Sequence, residues 1–303
     1  MKWKVDGQTI AGGNGCGHEL NQLCYPHGIY VDDEEQCIYI ADRDNHRIVK
    51  WKLDSGSDYG EIVAGGNGKG DRMDQLYRPT DVVLDEKKKS LIICDEGNRR
   101  VVRWSLENPN GDKEILIENI ECWGIKMNEN GDLFVSDYEN NAVKRWRKGE
   151  IRRGGKGTIV AGGNGQGNKL NQLSDPSYIF IDREETVYVS DCGNHRVMKW
   201  LKGASEGIVV AGGQGQGNNS NQLNLPMGLV VNEVGDVYVA DYGNHRIMCW
   251  SLGSKEGRVV VGGNGRGKGS NQLSLPIGLS FDAENNLCVA DCHNHRIQRF
   301  GIN

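Results

Sequence analysis

The string Asp-x-x-Asn-His-Arg stands at Asp42–Arg47, Asp191–Arg196, Asp241–Arg246 and Asp291–Arg296, with degraded copies at Asp95–Arg100 and Asp137–Ala142. A carboxylate, an imidazole and a guanidinium so close together could bind a metal or shuttle protons. Zinc ligands, however, must converge to ~2.0–2.3 Å from one centre. His46, His195, His245 and His295 recur once per repeat and so stand apart on a circle. The expected role of Asp42, Asp191, Asp241, Asp291 and these histidines is therefore structural. Asp accepts from turn amides, Asn tolerates a left-handed backbone, and His and Arg bond to the neighbouring repeat. The glycine runs Gly12–Gly17, Gly65–Gly70, Gly162–Gly167, Gly212–Gly217 and Gly262–Gly267 look like phosphate cradles. A phosphate loop should open a helix. These lead instead to a further strand and lack the Lys-Ser/Thr of a P-loop, so turn chemistry is expected.

The elements that must carry these residues are short strands. The motif aspartates follow one another at intervals of 42 to 54 residues, and an aromatic stands nine residues after each: Trp51, Trp104, Trp146, Trp200, Trp250 and Phe300. Each repeat holds four short apolar runs bounded by Gly, Asn, Asp or Pro, and no window shows a helical stripe. Four strands per ~50 residues predict an all-β, six-bladed propeller of four-stranded antiparallel blades. The repeats fall at about 26–64, 79–118, 122–161, 176–211, 226–261 and 276–300. The last lacks a fourth strand, and Gln8–Ala11 matches one, so the N-terminal strand is expected to complete the last blade and make 1–303 a single domain. The aromatic series is expected in the core, with Trp3 as a remnant of it.

Positions that differ between repeats carry more information. The residue after the Pro that opens each inner strand should ring the channel mouth: His27, Thr80, Trp123, Ser177, Met227 and Ile277, with Asp81 the one acid nearby. An open catalytic zinc site needs about three protein ligands and calcium ~6–8 oxygens. One histidine and one acid reach neither count. No catalytic residue, metal or cofactor is expected. The third repeat lacks its glycine loop, and Cys122 replaces Pro beside Trp123, which reads either as drift of one blade or as a notch floored by Trp123. Next to it lies a basic patch: Arg99, Arg100 and Arg103, then Lys144, Arg145, Arg147, Lys148, Arg152, Arg153 and Lys156.

The whole chain bounds the function classes. It has 303 residues, 43 of them Gly, and a formal net charge of −5, which argues against a general nucleic-acid binder. No apolar run is long enough to span a membrane, and no secretory signal opens the chain. The nine cysteines lack paired spacing. Neither a zinc knuckle nor a disulfide framework is expected, which points to a cytoplasmic setting.

Pro-x-Gly-Leu/Ile at the first strand, Asp-x-x-Asn-His-Arg after the second and Gly-Gly-Asn-Gly-x-Gly-x-x-x-Asn-Gln-Leu between blades resemble the NHL repeat family of six-bladed propellers. The likeness runs through the whole chain. It implies the fold strongly and function weakly, since that family includes RNA-binding, ubiquitin-ligase-associated and sensor propellers and more distant lyases and hydrolases. The expectation is a monomeric, non-catalytic module that recognises a protein or peptide on the face bearing the inter-blade loops. RNA bound through the basic patch is the alternative, and a lyase or hydrolase with a site at the central channel comes third.

Overall fold

The computed structural model describes residues 3–53, 58–85, 87, 89–108, 111, 113–151 and 155–302. Six four-stranded antiparallel sheets make a ring of blades, the first five running from an inner to an outer strand in chain order. Blade 1 comprises β2 (Pro26–Asp32), β3 (Cys37–Asp42), β4 (Arg47–Lys52) and β5 (Glu61–Gly65). Blade 2 comprises β6 (Pro79–Asp85), β7 (Ser90–Asp95), β8 (Arg100–Ser105) and β9 (Lys113–Glu118). Blade 3 comprises β10 (Cys122–Met127), β11 (Leu133–Asp137), β12 (Ala142–Trp146) and β13 (Thr158–Gly162), with a one-turn helix α1 (Lys148–Ile151) before its outer strand. Blades 4, 5 and 6 open with β14 (Pro176–Ile181), β18 (Pro226–Val231) and β22 (Pro276–Phe281). In the last blade, β1 (Gln8–Gly12) pairs with β24 (Arg296–Phe300) through Gln8–Arg299 and Gly12–Arg296. The N-terminal strand closes the ring and covers an edge that would otherwise template aggregation.

The core lies between blades. Trp51, Trp104, Trp146, Trp200, Trp250 and Phe300 are all buried. Trp3 is buried as well, but it bridges to Ile302 and stacks on Phe281 beyond the closing strand, so it belongs to the closure and is no remnant of the series.

The repeated motif makes one network per blade. In blade 5, Asp241 Oδ1 accepts from Asn224 N at 2.7 Å, and its Oδ2 accepts from Asn244 Nδ2 and Arg246 Nε. The Arg246 guanidinium also donates to the carbonyls of Asn218, Asn219 and Gln222. Thus the Arg fastens the loop that enters its own blade. Only the His reaches the next blade, with His245 Nδ1 accepting from Leu275 N. The left-handed residue is also the His, with φ near +55° at His46, His195, His245 and His295, while the Asn caps the loop. Blade 3 keeps both functions with other residues. Lys144 Nζ reaches Asp137 Oδ2 at 2.6 Å, and Asn141 Oδ1 accepts from Asp175 N.

Pro-x-Gly exists because inner strands nearly touch. A Cβ on Gly228 would stand 2.2 Å from the Ile277 carbonyl oxygen, and one on Gly278 2.3 Å from that of His27. Asp81 and Tyr178 occupy the glycine position in blades 2 and 4. Asp81 fills the space beside Gly28 and accepts from Val82 N and Ile125 N. Tyr178 reaches across the ring, and its hydroxyl donates to the Thr80 carbonyl. The axis is therefore plugged at this level.

The glycine loops are clasped from within. Gln166 bonds Ser174, Gln216 bonds Asn224, Arg266 bonds Ser274, and the Lys69 ammonium lies 4.0 Å from the Tyr77 ring centroid. In the loop after β1 the same two positions are Cys16 and Cys24, joined by a disulfide. The expectation of no disulfide is overturned for this pair, and the basis for a cytoplasmic setting goes with it.

Candidate functional site

The mouth of the ring on the glycine-loop face collects side chains from every blade. Each turn after the second strand places the two variable residues of Asp-x-x-Asn on this face: Arg43 and Asp44 in blade 1, Glu96 in blade 2, Tyr138 in blade 3, Tyr242 in blade 5, Cys292 and His293 in blade 6. Tyr178, Ile277 and Cys292 form a buried floor, against which Tyr25, Trp123, Met227 and Tyr242 pack while part-exposed. His27 lies 5.9 Å from Trp123 between ring centroids, and Trp123 stacks on Tyr138 at 5.7 Å. Tyr25 makes edge contacts with His293 and His295.

This basin is apolar, yet it holds polar atoms without protein partners. His27 Nδ1, Arg43 Nε, Glu96 Oε2 and Trp123 Nε1 are buried and bond to nothing in the chain. Arg43 Nη1 meets Asp44 at 2.9 Å. Burial holds the His27 pKa well below the usual histidine range, with Arg43 and His293 adding to it, so the imidazole is neutral. Burial raises the Glu96 pKa, and Arg43 opposes that shift. Unmade hydrogen bonds of this kind cost ~1–3 kcal/mol each, and a ligand that supplies an acceptor and a donor would remove the cost.

A family model for the NHL repeat matches residues 23–51, 223–250 and 273–300. Those stretches are the first three strands of blades 1, 5 and 6. The chain is an NHL-repeat propeller. No curated protein matches it significantly. Among solved structures it is similar to an auxiliary nutrient binding protein from Bacteroides thetaiotaomicron, at 17% identity and a TM-score of 0.72, covering 99% of this chain and 73% of that one. It is similar to a protein of unknown function from the same organism, at 15% identity and a TM-score of 0.74 over 98% and 76% of the two chains. It is also similar to virginiamycin B lyase from Staphylococcus aureus, at 13% identity and a TM-score of 0.58 over all of both. At such identities the likeness shows the fold alone.

Within this NHL propeller the expected mouth ring is only partly a mouth. Thr80 and Ser177 are buried and turn their hydroxyls to the carbonyls of Cys122 and Pro226 on the adjacent inner strands. Ile277 is buried in the floor, and Asp81 sits between blades, 3.8 Å from Lys126. His27, Trp123 and Met227 do face the basin. Arg43, Glu96, Tyr25 and His293 were not singled out from sequence. For Arg43, Glu96 and His293 the signal was the variable pair inside a repeated motif, whereas Tyr25 stands just before the Pro that opens the inner strand.

The basic patch is mostly paired. Arg99 meets Glu121 and Glu139, Arg100 meets Asp95, Arg103 meets Glu114, Lys144 meets Asp137, and Arg145 meets Glu185. Arg147 and Lys148 lie at the start of α1 on the opposite face. Arg152 and Arg153 fall outside the described residues. Among the described residues one group could hold a metal: Cys16, Cys24 and His295, within 4.8 Å of one another. Here the two sulfurs are joined, and His295 Nδ1 accepts from Tyr25 N, so the donors are already used.

Proposed function

We propose that this NHL propeller is a non-catalytic binding module, acting as one domain and as a monomer, whose glycine-loop face recognises a protein or peptide segment at the plugged mouth. The observation that carries this reading is the set of unpartnered buried atoms at Arg43, Glu96, His27 and Trp123, set among aromatic walls. Two are fixed donors, Arg43 Nε–H and Trp123 Nε1–H, and Glu96 Oε2 is an acceptor unless protonated. A peptide backbone carries both complements in one unit. Trp, Tyr and Arg are also the residue types that dominate recognition hot spots. One structural neighbour is an auxiliary nutrient binding protein, which is consistent with a binding role for the architecture.

No geometry favours RNA, because five of the patch cations already have carboxylate partners. A lyase site would need several histidines converging on the axis, and the mouth offers His27 and His293.

The test is selection from a random peptide library displayed on phage, against the wild-type chain and against Trp123→Ala and Arg43→Ala. The wild type should enrich a related set of peptides, and each variant should bind them about tenfold or more weakly, as expected for a hot-spot residue. Peptides that bind all three proteins equally would refute the site.

A further inference from the structure

We propose that the gap between blades 2 and 3, on the face opposite the glycine loops, binds a small amphipathic anion: a carboxylate or phosphate head on an apolar body. The turn from β6 to β7, the turn from β10 to β11 and helix α1 enclose a cavity of about 330 Å³ there. Blade 3 forms it because its third-to-outer turn is a helix. Ile151 on that helix is buried with Val83 and Leu133 in the core between the two blades, while Lys148, one turn earlier, stays exposed on the lining. Tyr30, Met127 and Leu133 complete an apolar wall.

The polar lining selects the sign of the ligand. Arg103, Lys87, Lys126 and Lys148 face two acids, Asp85 and Glu129. Two lining atoms are buried without a partner, Arg103 Nε and Asn128 Nδ2, and both are donors. Arg103 donates to Glu114 through Nη1, and Asn128 already accepts from Asn130 N and Asp132 N through Oδ1. The two buried lining atoms without a partner are both N–H donors, and four cations stand against two acids, so the lining asks for anionic oxygens. The apolar wall asks for a hydrocarbon or aromatic body, which a nucleic-acid backbone lacks. The reading is independent of peptide recognition on the other face.

Calorimetric titration of the full chain with octanoate and with octyl phosphate tests it, with octanol and inorganic phosphate as half-ligands. At least one anion with a tail should bind at a single saturable site, and each half-ligand should bind about tenfold or more weakly, the scale of one charge-assisted hydrogen bond. Lys148→Glu lies on an exposed helix and should keep the melting temperature while weakening the tailed anion by a similar factor. Trp123→Ala should leave this binding unchanged. Octanol binding as well as octanoate, affinity untouched by Lys148→Glu, or no saturable binding of either tailed anion would overturn the proposal.

Discussion

Asp241 has no solvent exposure and takes hydrogen bonds from a loop amide, Asn244 and Arg246. Removing it leaves a buried guanidinium without its counter-charge. Asp241→Ala should lower stability by ~3–5 kcal/mol, read from the denaturation midpoint. The histidines act differently. Nδ1 of His46, His195, His245 and His295 each accepts a backbone N–H from the next blade, which only the neutral ring can do. Burial lowers all four pKa values. A base with a lowered folded pKa contributes stability above its unfolded value, about 6.5, and that contribution is lost as pH falls through the folded value. Melting temperature should therefore drop from pH 7.5 towards pH 5 or below. Asn141 already fills this role in blade 3. His195→Asn should keep the clasp at neutral pH and flatten part of the acid slope, and an unchanged slope would show that the clasp does not titrate. These roles were only half legible in the sequence: the recurrence of the motif marked it as structural, but which residue crossed to the next blade depended on the left-handed turn at His.

At the scale of the loop, five clasps share one geometry and differ in chemistry. The disulfide between Cys16 and Cys24 was hidden because cysteine spacing was read by itself. The informative comparison was with Lys69–Tyr77, Gln166–Ser174, Gln216–Asn224 and Arg266–Ser274, which bind at the same two positions. Closing so short a loop covalently is worth ~2–3 kcal/mol in the chain-entropy account. A thiol reductant should lower the wild-type denaturation midpoint by that amount. The paired substitution Cys16→Gln with Cys24→Ser copies the blade 4 clasp, so it should lie between the two states and ignore the reductant. If reductant leaves the wild type unmoved, the covalent clasp contributes nothing.

For the whole molecule, the strands, their number and the closure were readable because the same backbone pairing repeats six times. Hydrophobic alternation and turn residues fix such pairing locally. The basin was only partly readable, since it is built where repeats disagree: His27, Trp123 and Met227 were expected at the mouth, whereas Tyr178 in place of glycine and Arg43, Glu96 and His293 inside the turns were not. Deleting residues 1–13 removes β1 and exposes β24, so the truncated chain should melt lower and self-associate in sedimentation. The location of binding is tested most directly by hydrogen–deuterium exchange of the intact propeller with a peptide selected on it. Protection should fall on the segments holding Tyr25, Arg43, Glu96, Trp123 and Tyr138. Protection confined to the outer strands or to the opposite face would contradict a recognition site at the mouth.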